Sequence, residues 1–255
     1  MLTISLLCLS LAVPGFSQQI PVGTALPIMA STGLNSAKTK TGARFSGRLM
    51  QDVVLASGDR IRTGARVEGR VVEASTATAS SPARLVLVID RLTAGQKQYA
   101  ITVSVRAVAS MGDVFEAQLP TSTFDEYGTS ISDWTTVQVG GAAVYLGDET
   151  VRDAMDIVGR APAYGVVMAR LLPAPKRGCP ANPVEGEREQ SLWVFSPWAC
   201  GTYGFEGLTI AHHGATSPFG SVQLTSPKTV DIRAGSGWLL VVVPAPGTGN
   251  SAAND

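Results

Sequence analysis

Thr41-Gly42-Ala43-Arg44-Phe45-Ser46-Gly47-Arg48-Leu49 returns 22 residues later as Thr63-Gly64-Ala65-Arg66-Val67-Glu68-Gly69-Arg70-Val71. In the first copy Ala43, Phe45, Gly47 and Leu49 alternate with Arg44, Ser46 and Arg48. In the second, Val67, Gly69 and Val71 alternate with Arg66, Glu68 and Arg70. A period of two means a strand with one dry face and one wet face. Each copy opens on a turn glycine and carries another in mid-strand, where glycine marks a bulge or a tight bend at a barrel corner. Two copies are too few for a solenoid and suit a small barrel.

Working outward, residues 83–89 (ARLVLVI) are almost continuously apolar, as in a strand covered on both faces. The turn Thr93-Ala94-Gly95-Gln96 leads to Tyr99, Ile101, Val103 and Val105, alternating with smaller or polar residues, so the pair reads as a hairpin. Residues 134–141 and 142–146 read as strands around Gly140-Gly141. Val151, Ala154, Met155 and Val158 fall at helical spacing behind Asp148-Glu149, predicting a short helix. Residues 163–172 return to strand. After Pro173, Pro175, Pro180 and Pro183, strands are expected at 192–195, 208–211, 221–224, 230–232 and 238–243. The expected fold is all-β with at most one or two short helices. It comprises a barrel-like domain over 18–110, a connecting β region over 111–172, a disulfide-clasped sandwich-like domain over 173–243 and a disordered tail over 244–255.

Ile20-Pro21-Val22-Gly23-Thr24, Gln51-Asp52-Val53, Gly58-Asp59-Arg60-Ile61 and the two glycine-opened runs together resemble the small envelope β-barrel of VirB10/TrbI-like secretion-channel proteins. The resemblance spans about residues 20–105 and implies a barrel in a cell-envelope setting. Residues 193–205 and 235–240 resemble exported bacterial proteins of unassigned activity, which implies no function.

Residues 2–13 (LTISLLCLSLAV) are uncharged and apolar, too short for a membrane span, and followed by small Gly15 and Ser17. Residues 1–17 are therefore expected to be a secretory signal, the alternative being a buried first strand. Beyond the leader two cysteines remain, Cys179 and Cys200, and an even count in an exported chain argues for a disulfide. A metal site of these two with a histidine is the competing reading, weakened by the lack of a C-x-x-C pair.

Lys plus Arg number 20 and Asp plus Glu number 20, so no net field recruits nucleic acid. The two histidines are adjacent, at 212 and 213, where a strand would point them to opposite faces. That scarcity removes most metal enzymes and His-dependent catalysts, and no cofactor is expected. Ser236 lies in Gly-Ser-Gly, but its flanking order is strand–turn–strand, not the strand–turn–helix of a nucleophile elbow.

Two candidate binding groups remain. Arg44, Arg48, Arg66 and Arg70 form i, i+4 pairs; if their strands neighbour, they make a basic stripe for phosphate or carboxylate, unless Glu68 and Glu73 neutralise it. Of 16 aromatic residues, five (Trp193, Phe195, Trp198, Tyr203, Phe205) lie within 13 positions, so this segment is either a mini-core on the disulfide or, at Trp198 and Tyr203, a platform for sugars. The sequence thus points to an exported envelope module without catalysis, partnered by envelope proteins or glycans, with no span in the mature chain. The alternatives are a secreted cell-wall or carbohydrate hydrolase and a sugar-binding module.

Overall fold

The computed structural model of the protein describes residues 20–55, 57–118, 133–146, 150–153, 156–160, 172–176, 178–179, 182–184, 192–212 and 220–245. The segment 1–17 expected to be a signal, residues 163–171 of the strand expected there, His213, Asp148-Glu149 and the tail from residue 246 lie outside them.

The first nine strands are β1 (Ala25–Ala30), β2 (Leu34–Asn35), β3 (Arg44–Leu49), β4 (Val53–Val54), β5 (Arg60–Ile61), β6 (Arg66–Ser75), β7 (Ala83–Ala94), β8 (Lys97–Ala100) and β9 (Val103–Ala109). Helix α1 (Met111–Gln118) follows, then β10 (Asp133–Gln138), β11 (Gly141–Leu146), β12 (Thr150–Asp153), β13 (Asp156–Arg160) and β14 (Leu172–Pro173). The chain closes with β15 (Gly201–Tyr203), β16 (Thr209–Ile210), β17 (Ser221–Ser226), β18 (Asp231–Ile232) and β19 (Gly237–Val242).

Ten strands form one sheet in the order β15-β9-β19-β1-β3-β6-β7-β17-β16, with β8 on β7. All its pairings are antiparallel except β15 on β9. The echoed runs are neighbours: β3 pairs with β6 through Arg44↔Arg70, Ser46↔Glu68 and Arg48↔Arg66. Phe45, Leu49, Val67 and Val71 therefore all point inward, joining Leu26, Ile28, Leu85, Leu87, Trp238 and Leu240 in the main core. Phe45 and Trp238 pack there with ring centroids 5.1 Å apart. At Gly69 the β6–β7 register slips, and a Cβ would collide with the backbone of Val88 and Ile89, so only glycine admits β7 this close.

The other side of the sheet is divided. Over β1, β9 and β19 it is apolar and covered: Ala25, Ala107, Ala109 and Leu239 pack with Val114 of α1 and with Leu192, Phe195 and Tyr203 in a second cluster. Over β3 and β6 the outward positions are Arg44, Ser46, Arg48, Arg66, Glu68 and Arg70, and that part is bare. The change in outward-facing chemistry from Ala and Leu to Arg is what leaves half of this side open to water.

Three expectations are corrected. The sheet is open and mixed, not a closed barrel: β15 and β16 end it with no ladder between them. Among the described residues side-chain hydrogen bonds span this gap, Ser104 Oγ of β9 donating to the His212 carbonyl at 2.8 Å and Thr202 Oγ1 of β15 to the Leu208 carbonyl at 2.7 Å. Nor is there a separate C-terminal sandwich. β19 inserts between β1 and β9, and β17 pairs with β7, so the late strands complete the early sheet. The helix predicted over 151–158 is instead the β12–β13 hairpin, with a bulge between Val151 and Arg152. The β-branched residues Thr150, Val151, Ile157 and Val158 favour strand, and the preceding β11 offers an edge at Leu146↔Thr150, which overrides the weak helical spacing.

Candidate functional site

Two places concentrate polar chemistry: the bare arginine face and the disulfide clasp.

On the arginine face the antiparallel register sets Arg44 directly across from Arg70 and Arg48 directly across from Arg66. Directly opposed like charges cost a sheet a few tenths to about 1 kcal/mol per pair. β7 adds Asp90 and Arg91. Arg70 Nη1 meets Asp90 Oδ2 at 2.5 Å, Arg66 Nε meets Glu68 Oε1 at 3.3 Å, and Arg91 Nη1 reaches Glu68 Oε2 at 4.0 Å. Among the described residues Arg44 and Arg48 make no hydrogen bond or ion pair, and both are exposed. Five guanidiniums thus share two carboxylates, a local excess in a chain whose total formal charge is zero. Arg44, Arg66, Arg70, Glu68, Asp90 and Arg91 line a concavity of about 320 Å³. Arg66 also lines a second of about 650 Å³, with Arg60, Arg62 and Lys97. There Asp52 meets Arg60 at 3.5 Å and Arg62 at 3.7 Å. Ion pairs this exposed contribute at most about 1 kcal/mol each and leave the guanidiniums available to a ligand.

The clasp ties Cys179 to Cys200, the residue that leads into β15 of the sheet. Cys179 and Cys200 form the expected disulfide, with Cα atoms 5.7 Å apart. The metal-site alternative is thereby removed. Lys176 N–H donates to the Cys200 carbonyl at 3.3 Å, and Cys200 N–H donates to Tyr203 Oη at 3.1 Å. The Lys176 ammonium sits 5.0 Å from the centre of the Tyr203 ring. Beneath, Arg106 of β9 is 7% exposed; its Nε donates to the Ala199 carbonyl at 3.0 Å and its Nη2 to the Asn182 carbonyl. Burial pushes the Arg106 guanidinium below its usual pKa, against an opposing pull from Tyr203. Burial likewise pushes the Tyr203 phenol above its usual value, partly offset by the Cys200 hydrogen bond and by Arg106.

The aromatic segment is mostly core. Phe195 is fully buried and Tyr203 nearly so, with its hydroxyl engaged in the clasp rather than facing a ligand. The expected strand at 192–195 is a tight turn instead, with Trp193 at φ 58° and its N–H donating to Gln51 Oε1 at 2.9 Å. Trp198 is half-buried, capped through its N–H by Ser196 Oγ at 3.2 Å. His212 is exposed, and Ser236 is buried in the turn before β19 with no partner for its hydroxyl.

Sequence reasoning missed Arg106, Asp90, Arg91 and α1. The helix had a legible start: Ser110 Oγ accepts from Asp113 N–H at 3.2 Å and donates to the Asp113 carboxylate, an S-x-x-D cap. Arg106 had none, because only the tertiary fold covers its side of β9.

No protein-family model and no curated protein matches the chain. The resemblances to VirB10/TrbI-like barrels and to exported bacterial proteins therefore gain no support from kinship, and the open sheet contradicts the first. Among the described residues no helix is long and apolar enough to cross a membrane.

Proposed function

We propose that the protein is an exported, non-catalytic binding module of the cell envelope that holds anionic groups on the face of β3 and β6. The observation that carries this reading is the double opposition Arg44↔Arg70 and Arg48↔Arg66. The arrangement opposes folding slightly, and two of its members have no partner among the described residues. A guanidinium with free donors is the side chain best suited to grip carboxylate, sulfate or phosphate. Export is supported by the apolar leader and by the disulfide, which persists best in an oxidising space.

Retention on an immobilised polyanion tests the binding. The doubly substituted Arg44→Gln/Arg48→Gln protein should elute at clearly lower salt than the wild type, whereas Arg233→Gln should not. Equal elution of all three opposes the reading. Export is tested by mass spectrometry of protein recovered from its source cells. A chain starting near residue 18 with Cys179 and Cys200 oxidised is expected; an intact Met1 with free thiols opposes it.

A further inference from the structure

We infer that the ligand is an anionic polysaccharide, with charged groups spaced along an otherwise hydroxyl-bearing chain, lying along β3 and β6 across both arginine rungs. This rests on the reading of that face as an anion-binding surface and specifies what it takes.

Spacing is the first argument. Arg44↔Arg70 and Arg48↔Arg66 are four residues apart along the strands, a separation of about 13 Å. One small anion meets only one rung. A ligand that satisfies both must be extended and carry charges about that far apart.

The row between the rungs is the second argument. There Ser46 lies opposite Glu68, so a hydroxyl and a carboxylate occupy the middle of the basic face. Glu68 is held in place by Arg66 and Arg91. A dense polyanion such as a nucleic-acid strand, with a phosphate every ~3.4 Å, would lay several charges against that carboxylate. A glycan with acidic groups at intervals would lay hydroxyls there instead, which Glu68 accepts and Ser46 can share.

Continuity is the third. Arg66 borders both concavities, and the second adds Arg60, Arg62 and Lys97 against one lining carboxylate, Asp59, so a chain leaving the Arg48↔Arg66 rung meets an excess of cations beside β5 and β8. No aromatic side chain is exposed at the rungs, since Phe45 points inward, so base stacking has no platform there.

The test measures binding of the purified protein to hyaluronan oligosaccharides of two, four and eight sugars, in which only every second sugar carries a carboxylate, to the methyl-esterified octamer, and to inorganic polyphosphate of matched charge. The expected result is at least tenfold tighter binding of the octamer than the dimer per mole of uronate, and loss of binding on esterification. Arg48→Gln, at an exposed and unpartnered position, should lower octamer affinity at least fivefold and leave dimer affinity within twofold. Length-independent binding, or polyphosphate bound more tightly than the octamer, overturns the polysaccharide assignment and leaves the anion-binding face standing. If none of the anions binds, both fall.

Discussion

Arg106 Nε donates to the carbonyl of Ala199 at 3.0 Å, tying the third residue before the end of β9 to the residue beside Cys200. This guanidinium is almost fully buried, and its partners are backbone carbonyls of the clasp. Burying a charge is tolerated only when its hydrogen bonds are made, so Arg106 and the 182–200 segment depend on each other. Arg106→Ala should lower the unfolding free energy by about 3 kcal/mol, through a cavity and an orphaned buried carbonyl. Chemical denaturation measures it; a loss below about 0.5 kcal/mol would show that the segment is held without Arg106.

The disulfide acts on the same segment from the other side. Cys179 and Cys200 are 21 apart in sequence, and closing a loop of that length stabilises by about 3 kcal/mol through restriction of the unfolded chain. The double Cys179→Ser/Cys200→Ser protein should be less stable by about that amount. Its arginine face, on the far strands β3 and β6, should keep its anion affinity. A change in affinity as large as that from Arg48→Gln would contradict this separation.

Tyr203 gives the clasp an alkaline limit. Burial raises its folded pKa, so between the ordinary phenol value near ~10 and that raised value the unfolded chain has lost a proton that the folded one keeps. The unfolded state then binds fewer protons, and unfolding free energy falls as pH rises through that window. Stability measured from pH 8 upward should decline beyond about 10, and Tyr203→Phe should flatten the decline. An unchanged slope in the variant would assign the alkaline loss elsewhere.

Gly69 marks where β6 and β7 come closest. A methyl group there would strike the Val88 carbonyl and lie 2.9 Å from the Ile89 Cα, both backbone atoms that cannot swing aside. Gly69→Ala should cost about 1–3 kcal/mol. Gly64, at φ +86° with open space around its Cβ position, should cost about 1 kcal/mol as Ala, from backbone conformation alone. Thermal or chemical denaturation that reversed this order would mean that the register slip at Gly69 relaxes freely.

What was legible in the sequence follows from the range of the interactions. The alternation around Phe45 and Val67 fixes which side chains point inward, because strand period is local. It places Arg44 with Arg48 on one strand face and Arg66 with Arg70 on another, while their union into one stripe depends on the β3–β6 pairing. The cysteine count likewise sufficed for the disulfide. The insertion of Trp238–Val242 between β1 and β9 had no local signal, since pairing across so long a stretch of chain, Leu26 with Leu240 and Val108 with Trp238, leaves no periodicity; the closed barrel and separate sandwich failed for that reason. The same fact hid Arg106, which reads as a charge at an outward position of an ordinary strand. Only the 192–203 segment, folding over β9, makes that position interior.

The arginine face is tested most directly by following arginine Nε–H and tryptophan Nε1–H resonances during titration with the hyaluronan octasaccharide. The Arg44, Arg48, Arg66 and Arg70 signals are predicted to move together and saturate, while those of Arg84, Arg233 and Trp198 stay in place. Movement at Trp198 with the four arginines unshifted would contradict the account and put the ligand on the aromatic segment instead.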